Sequence, residues 1–254
     1  MAMLRDRAAL VTGSTGGLGV AIAHALARAG AFVIVSGRDE ERGERVAADI
    51  RSRGGGATFI SADLAGGPVA ARELAQRSSN AAGGKVDVLV NNAATLLMPS
   101  PTADVSDGEL RDSFGVNVFA PFLLTAALAP GMVERGGGAI INVGSAAGLR
   151  GSAGGALYSA HKAAIHSLTQ SWADEYAASG VRVNAVAPGP ISTPRALQFA
   201  DYVKPMLARI PSRRASTPEE VAAAVLFLAS DDAANVHGTV INVDGGWSAV
   251  LATS

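Results

Sequence analysis

Tyr158 and Lys162 bracket the stretch "YSAHK" (158–162), a phenol four residues ahead of an ammonium. Four residues is about one turn of an α-helix, so both side chains stand on one face. A free tyrosine has a pKa near ~10 and is a phenolate about one time in a thousand at pH 7. A positive charge beside it favours the phenolate, so the pair could move a proton near neutrality. The alternative is two amphipathic residues on a wet helix face. A second chemical signal is "TGSTGGLG" (12–19), with Gly13, Gly17 and Gly19 as its spaced glycines. Such a turn lets backbone N–H groups approach a pyrophosphate at a helix N-terminus. The spacing G-x-x-x-G-x-G is not G-x-G-x-x-G, and glycine turns also serve packing. What gives it weight is its place between a strand and a helix.

Those residues need elements to position them, and the hydrophobic pattern supplies them. Short β-branched runs occur at 8–12, 32–36, 57–61, 86–90, 139–145, 181–186 and 239–244. Helical stretches lie between them, at 18–30, 42–54, 106–135, 158–180 and 217–231. Several of the runs are apolar almost throughout, as in a parallel sheet covered on both faces. Alternating strands and helices predict an α/β fold, a doubly wound sheet of seven parallel strands with right-handed crossovers. No linker divides the chain, so residues 1–254 read as a single domain. The irregular segment 187–216, rich in Pro, Ser and Arg, follows a strand and is long enough to be functional.

Composition removes other classes. The chain is 48% hydrophobic and 17% charged with a net charge of −1, which fits a globular core and leaves no basic stripe for nucleic acid. It has no cysteine, which excludes disulfides and thiolate chemistry. The apolar stretch 118–133 carries Pro121 and Pro130 and reads as a buried helix, not a membrane span. The N-terminus lacks a signal-peptide core, so a cytoplasmic protein is expected. No P-loop and no G-x-S-x-G motif occurs. His161 and His166 match no zinc motif, so no metal is expected and both read as ordinary helix residues. Trp172 and Trp247 read as packing residues.

Taken in order, the motifs resemble the short-chain dehydrogenase/reductase family over nearly the whole chain. The matching pieces are "TGSTGGLG", "ADL" (62–64), "NNAA" (91–94), Asn117 in "GVNVF", Ser145 in "INVGSAAG", "YSAHK", "NAVAPGPISTP" (184–194) and "INVDGGW" (241–247). The roles follow from the resemblance. Tyr158 is implied as general acid/base and Lys162 as the residue that lowers its pKa and holds the nicotinamide ribose. Ser145 is implied as a donor to the substrate oxygen and Asn117 as support for a proton-relay water. Gly13, Ser14, Thr15, Gly17, Leu18 and Gly19 form the cofactor turn. Asp63 and Leu64 flank the adenine, Asn91 and Ala93 line the channel, and Pro188, Gly189, Ile191 and Thr193 face the nicotinamide. A Rossmann-type domain with a substrate-binding loop at about 190–215 is expected.

The resemblance implies an oxidoreductase moving a hydride between a nicotinamide and a carbonyl/secondary alcohol pair. The alternative is a cofactor-binding regulatory or scaffold protein without turnover. Cofactor choice turns on "VIVSGRDEE" (33–41). A ribose-binding carboxylate, the mark of NAD, has its usual place at Gly37. Arg38 follows, and its guanidinium could pair with a 2′-phosphate, with Ser14 adding a hydroxyl. NADP(H) is favoured; NAD(H) stays possible through Asp39. The substrate is a small molecule, with a 3-oxoacyl thioester, a polyol and a steroid-like ketone unranked. Leu96, Leu97, Met98 and Leu149 suggest an apolar pocket wall, while Arg150 and Arg195 could meet an anion. A homotetramer is implied, pairing Leu123, Leu124 and Leu128 of one helix with Ile165 and Leu168 of another. The C-terminal stretch 241–254 is expected near a second interface.

Overall fold

A computed structural model describes residues 3–197 and 200–250 of the chain, leaving aside the side chains of Arg195, Leu197, Ala200 and Tyr202. The strands are β1 (Ala8–Val11), β2 (Phe32–Gly37), β3 (Gly56–Ser61), β4 (Val88–Asn91), β5 (Gly138–Val143), β6 (Val181–Pro188) and β7 (Val240–Val243). They form one parallel sheet in the order β3-β2-β1-β4-β5-β6-β7. The order reverses between β1 and β4, which opens a crevice at the strands' C-terminal ends.

Alternate residues of each strand serve opposite faces. Ala9 and Val11 of β1 join the core beneath the helices α1 (Gly17–Arg28), α2 (Glu40–Ser52) and α9 (Pro218–Ala229). Ala8 and Leu10 join the core beneath α3 (Gly67–Ala81), α5 (Ala120–Glu134) and α6 (Ala156–Tyr176). Burial on both faces explains the apolar runs.

The stretch expected as one long helix is interrupted. It comprises α4 (Asp107–Phe114), a π-helical turn (Gly115–Phe119) and α5. The whole run Asp107–Glu134 is long and apolar enough to cross a membrane by length and composition, and half of its most apolar window is buried in this fold. Leu124, Leu128 and Met132 are the largest of its buried side chains in the second core. The segment 187–216 also holds two short helices, α7 (Pro194–Leu197) and α8 (Ala200–Leu207), where the sequence suggested irregular chain. Arg195, offered above as an anion ligand, lies outside the described side chains.

Candidate active site

The glycine turn is held where the sheet order reverses. Gly13 and Gly17 have φ of +64° and +52°, a region that favours glycine. Close approach matters as much. A Cβ on Gly13 would sit 2.7 Å from the Ala93 Cα, and one on Gly19 would sit 2.3 Å from the Gly13 carbonyl oxygen. The turn is stitched to the loop after β4 by Asn92, whose Nδ2 donates to the carbonyls of Thr12 (2.9 Å) and Gly13 (3.1 Å). The amides of Asn92 and Ala93 donate in return to Thr12 Oγ1, each at 3.0 Å. Helix α1 starts at Gly17 behind an N-cap glycine that gives no side-chain bond, so its first N–H groups face the crevice without an internal acceptor. That is a phosphate cradle, and a nicotinamide dinucleotide fits it.

The crevice here is a cleft of about 870 Å³. Of the residues expected to bind cofactor, Gly13, Thr15, Gly17, Leu18, Gly19, Arg38, Asp63, Leu64, Ala93 and Thr193 line it. Pro188, Gly189 and Ile191 stand at the end of β6 and just beyond. The Gly189 amide donates to the Val243 carbonyl, and Ile191 bridges to Ser216.

Two expectations fail on geometry. Ser14 is fully buried; its Oγ donates to the Val11 carbonyl (2.7 Å) and accepts from the Ser36 amide (3.0 Å). It therefore ties β1 to β2 and has no hydroxyl to give a phosphate. Asn91 turns from the cleft into a buried ladder. Its Nδ2 donates to Asn142 Oδ1, and Asn142 Nδ2 donates to Thr169 Oγ1 on α6, both at 2.9 Å. Asn92, next in sequence, lines the cleft instead.

The end of β2 carries the cofactor-choosing groups. Asp39 is the N-cap of α2: its carboxylate accepts from the Arg42 amide (2.9 Å) and from Arg42 Nε (2.6 Å). Those bonds hold its carboxyl below the usual carboxylate range. Arg38 is exposed on the cleft wall, and Arg42, which the sequence reading passed over, lines it too. A Cβ on Gly37 would meet Thr15 Cγ2 at 2.7 Å and Oγ1 at 2.9 Å, so Thr15 fills the space a longer residue there would need.

The second half of the site sits on β5 and α6. Ser145 follows β5 in extended conformation, and its Oγ accepts from the Ala147 amide (3.1 Å), starting a short 3₁₀ turn. Tyr158 and Lys162 stand one turn apart on α6, as the spacing predicts, with Lys162 Nζ 5.8 Å from the phenol ring's centroid. Their proton balance differs from the expectation. Burial pushes the Tyr158 phenol above its ordinary value, while the Ser145 hydroxyl acts in the opposite direction. The Lys162 ammonium is buried, donates to the Val143 carbonyl at 2.8 Å, and is itself held down to about 8. Desolvation outweighs the attraction that the spacing alone suggests. At neutral pH Tyr158 is thus a phenol and Lys162 is mostly charged.

Asn117 lies in the π turn, an insertion often found at functional sites. Its Oδ1 accepts from the Thr95 amide (2.7 Å) and its Nδ2 donates to the Thr95 carbonyl (3.0 Å). With both side-chain atoms engaged, the amide anchors the loop after β4 rather than reaching for a relay water.

Comparison with known proteins settles the family. Residues 13–248 match the family described as Enoyl-(Acyl carrier protein) reductase. Cyclopentanol dehydrogenase of Comamonas sp. (strain NCIMB 9872) is 38% identical over 254 residues, covering 98% of this chain and 100% of that one. The chain belongs to the short-chain dehydrogenase/reductase family. Cis-4-hydroxycyclohexanecarboxylate dehydrogenase of Sinomonas cyclohexanicum is 40% identical over 246 residues, 96% of this chain and 98% of that one. A solved structure assigned as an NAD(P)-dependent gluconate 5-dehydrogenase from Beutenbergia cavernae, with NADP bound at low occupancy, is 41% identical. It has a TM-score of 0.91 over 98% of this chain and 99% of that one. The protein is accordingly an NAD(P)-dependent dehydrogenase of this family acting on CH–OH groups.

Proposed function

We propose that the protein interconverts an alicyclic secondary alcohol and its ketone with NADP(H), using Tyr158 as general acid/base. The observation that carries the reading is Tyr158 one helical turn from the buried Lys162, whose Nζ lies 5.8 Å from the centroid of the phenol ring. When bound, the nicotinamide supplies or accepts the hydride. Ser145 hydrogen-bonds the substrate oxygen as charge develops there, and the Tyr158 phenol delivers the proton that completes the alcohol. In the reverse direction Tyr158 receives it. Lys162 stabilises the phenolate that remains after proton delivery. With all three in place, a scaffold that merely holds cofactor is the weaker reading.

Gly13, Thr15, Gly17, Leu18, Gly19, Ala93 and Thr193 would hold the dinucleotide, with Asp63 and Leu64 at its adenine end. Support for NADP comes from Asp39, whose carboxylate is committed to capping α2, and from Arg38 and Arg42 beside the place of a 2′-phosphate. Support for a ring alcohol comes from half-exposed Leu96, Met98 and Leu149 and from the carbocyclic alcohols named for the two relatives. The test is a panel of cyclic alcohols, polyols and acyl ketones assayed by nicotinamide absorbance with both cofactors. Cyclopentanol or a cyclohexanol should lead with NADP; a polyol leading, or NAD preferred, overturns that part.

The same reading includes a cytoplasmic homotetramer, with an interface revised from the sequence expectation. Leu124, Leu128 and Ile165 face the protein's own core, and Leu123 and Leu168 are only half-exposed. The outward apolar residues of the helical run are Leu110, Phe119 and Phe122. Phe119→Ser with Phe122→Ser should reduce the mass seen by light scattering; a wild type that is monomeric at micromolar concentration removes the proposal. Of the C-terminal stretch, residues 251–254 lie outside those described.

A further inference from the structure

His161 is fully buried beside the site, with every polar atom of its ring facing a partner. Its Nδ1 is 3.2 Å from Asn117 Nδ2, its Nε2 is 3.3 Å from Ser113 Oγ, and Phe114 meets the ring edge-on at 4.3 Å. The proton positions follow from the neighbours. The Asn117 amide cannot be reversed, because its oxygen would then face the Thr95 carbonyl and its NH₂ the Thr95 N–H. Its second N–H therefore points at His161, whose Nδ1 must be an acceptor. The ring proton is left on Nε2, facing Ser113 Oγ. That oxygen is free to accept because the serine's own hydrogen goes to the Glu109 carbonyl at 2.5 Å.

We propose that His161 is a positioning residue: as a neutral Nε2–H imidazole it locks the Asn117 amide, and through it the Thr95 backbone, to the helix that carries Tyr158 and Lys162. Thr95 lines the cofactor cleft and opens the stretch "TLLMP" (95–99), so the lock sets one wall of the site against its acid/base pair. A second ring proton would face the Asn117 NH₂ and break the chain at its middle. Burial and the Lys162 charge hold the ring down to about 4, so it stays neutral over the working range. Lys162 is the charge that acts on it from its own helix; on α4 the carboxylates of Glu109 and Asp112 are exposed, and Asp112 lines the cofactor cleft.

The inference rests on the oxidoreductase reading for its kinetic arm only. Long-range ¹H–¹⁵N NMR on the wild type reads the tautomer directly. An Nε2–H ring at pH 7 is expected; an Nδ1–H or doubly protonated ring overturns the proposal whatever the enzyme turns over. His161→Leu should lower kcat about 10- to 100-fold, as misplacement of a site wall does, with NADPH affinity changed less than about threefold. His161→Gln offers an oxygen to Asn117 and an NH₂ to Ser113, and should recover most of kcat. A leucine variant with wild-type kcat, or a glutamine variant no better than leucine, sinks it. If the wild type oxidises no alcohol, the functional reading fails alone and the tautomer still decides this one. Should the leucine variant not fold, the glutamine variant and the wild-type spectrum carry the test.

Discussion

The two ends of the site are built from different material. At the glycine turn the work falls to backbone. N–H groups of α1 lack acceptors, Gly13 and Gly19 let chains approach more closely than any Cβ allows, and Ser14 and Asp39 spend their side chains on the fold. At the α6 end the work falls to buried side chains, Lys162 and His161, each with a defined partner, around a half-buried Tyr158, and all three have shifted pKa values. The backbone end should therefore fail by steric intrusion and the side-chain end by loss or gain of a proton. Changes at each end separate the two.

The largest effect is expected at Tyr158. Tyr158→Phe keeps the ring and removes the proton, so kcat should fall about 10²–10⁴-fold. Cofactor affinity should be unchanged, because the glycine turn is untouched. Steady-state rates with a fluorescence titration of NADPH measure both, and normal turnover by the variant refutes the acid/base assignment.

Intrusion at the backbone end comes next. In Gly19→Ala the new methyl would sit 2.3 Å from the Gly13 carbonyl oxygen and 2.7 Å from Asn92 Nδ2, so the turn or the loop after β4 must shift. Overpacking of this kind costs about 1–3 kcal/mol. Cofactor affinity should drop by about tenfold or more, while any residual kcat at saturating cofactor stays within a few-fold of wild type. A kcat defect as large as that of Tyr158→Phe would erase the distinction between the two ends.

How much of this the sequence revealed depends on what sets each feature. All seven strands were legible, the inner ones because a strand buried on both faces is apolar regardless of what packs on it, the edge strands β3 and β7 from their β-branched runs alone. The helical spacing of Tyr158 and Lys162 was legible for the same local reason. Their proton balance was not, since desolvation is set by the surrounding fold: the spacing pointed to a lowered phenol, and burial raises it. Ser14 and Asn91 sit in recognisable motifs, yet neither type nor spacing tells which way a side chain turns. Asn92 and Thr12, which join the glycine turn to the β4 loop, were signalled only by the doubled asparagine of "NNAA". Leu124 and Leu128 were misplaced outward because α5 is apolar almost all round and hides its buried face. His161 left no signal at all, as its partners are 44 and 48 residues away.

Cofactor choice tests the same contrast at smaller scale. Placing a ribose-binding carboxylate at the end of β2 by Gly37→Asp drives its Cβ into Thr15, 2.7 Å away. Alone it should weaken NADPH and NADH alike. Adding Thr15→Ala removes the two closest atoms and leaves a contact of 3.4 Å, and Arg38→Leu removes a phosphate partner. A charge-assisted bond is worth about 1.5–3 kcal/mol, so the triple variant should move the ratio of kcat/KM toward NADH by tenfold or more. A single Gly37→Asp that switches cleanly would show that Thr15 is no barrier.

The smallest effect separates two histidines on α6. His161 has partners for both ring nitrogens, whereas His166 is buried with neither nitrogen bonded. Both are held down to about 4, mainly by burial and then by the Lys162 charge. The unfolded chain takes up these protons near pH 6.5 and the folded chain only near 4, so unfolding binds more protons in between. Stability is therefore full above about 6.5 and is lost as pH falls through that window toward 4. Removing either ring should flatten the loss, but the cost at neutral pH differs. His161→Leu strands the Asn117 N–H and should lower Tm. His166→Leu strands nothing, and replacing an unbonded buried polar group by an apolar one is close to neutral or stabilising. At pH 7 its Tm should stay within a few degrees of wild type or rise, and between pH 6.5 and 4 it should fall less steeply. Melting curves across that range decide it: an equally steep fall in His166→Leu would mean that this ring already finds a proton partner in the folded protein.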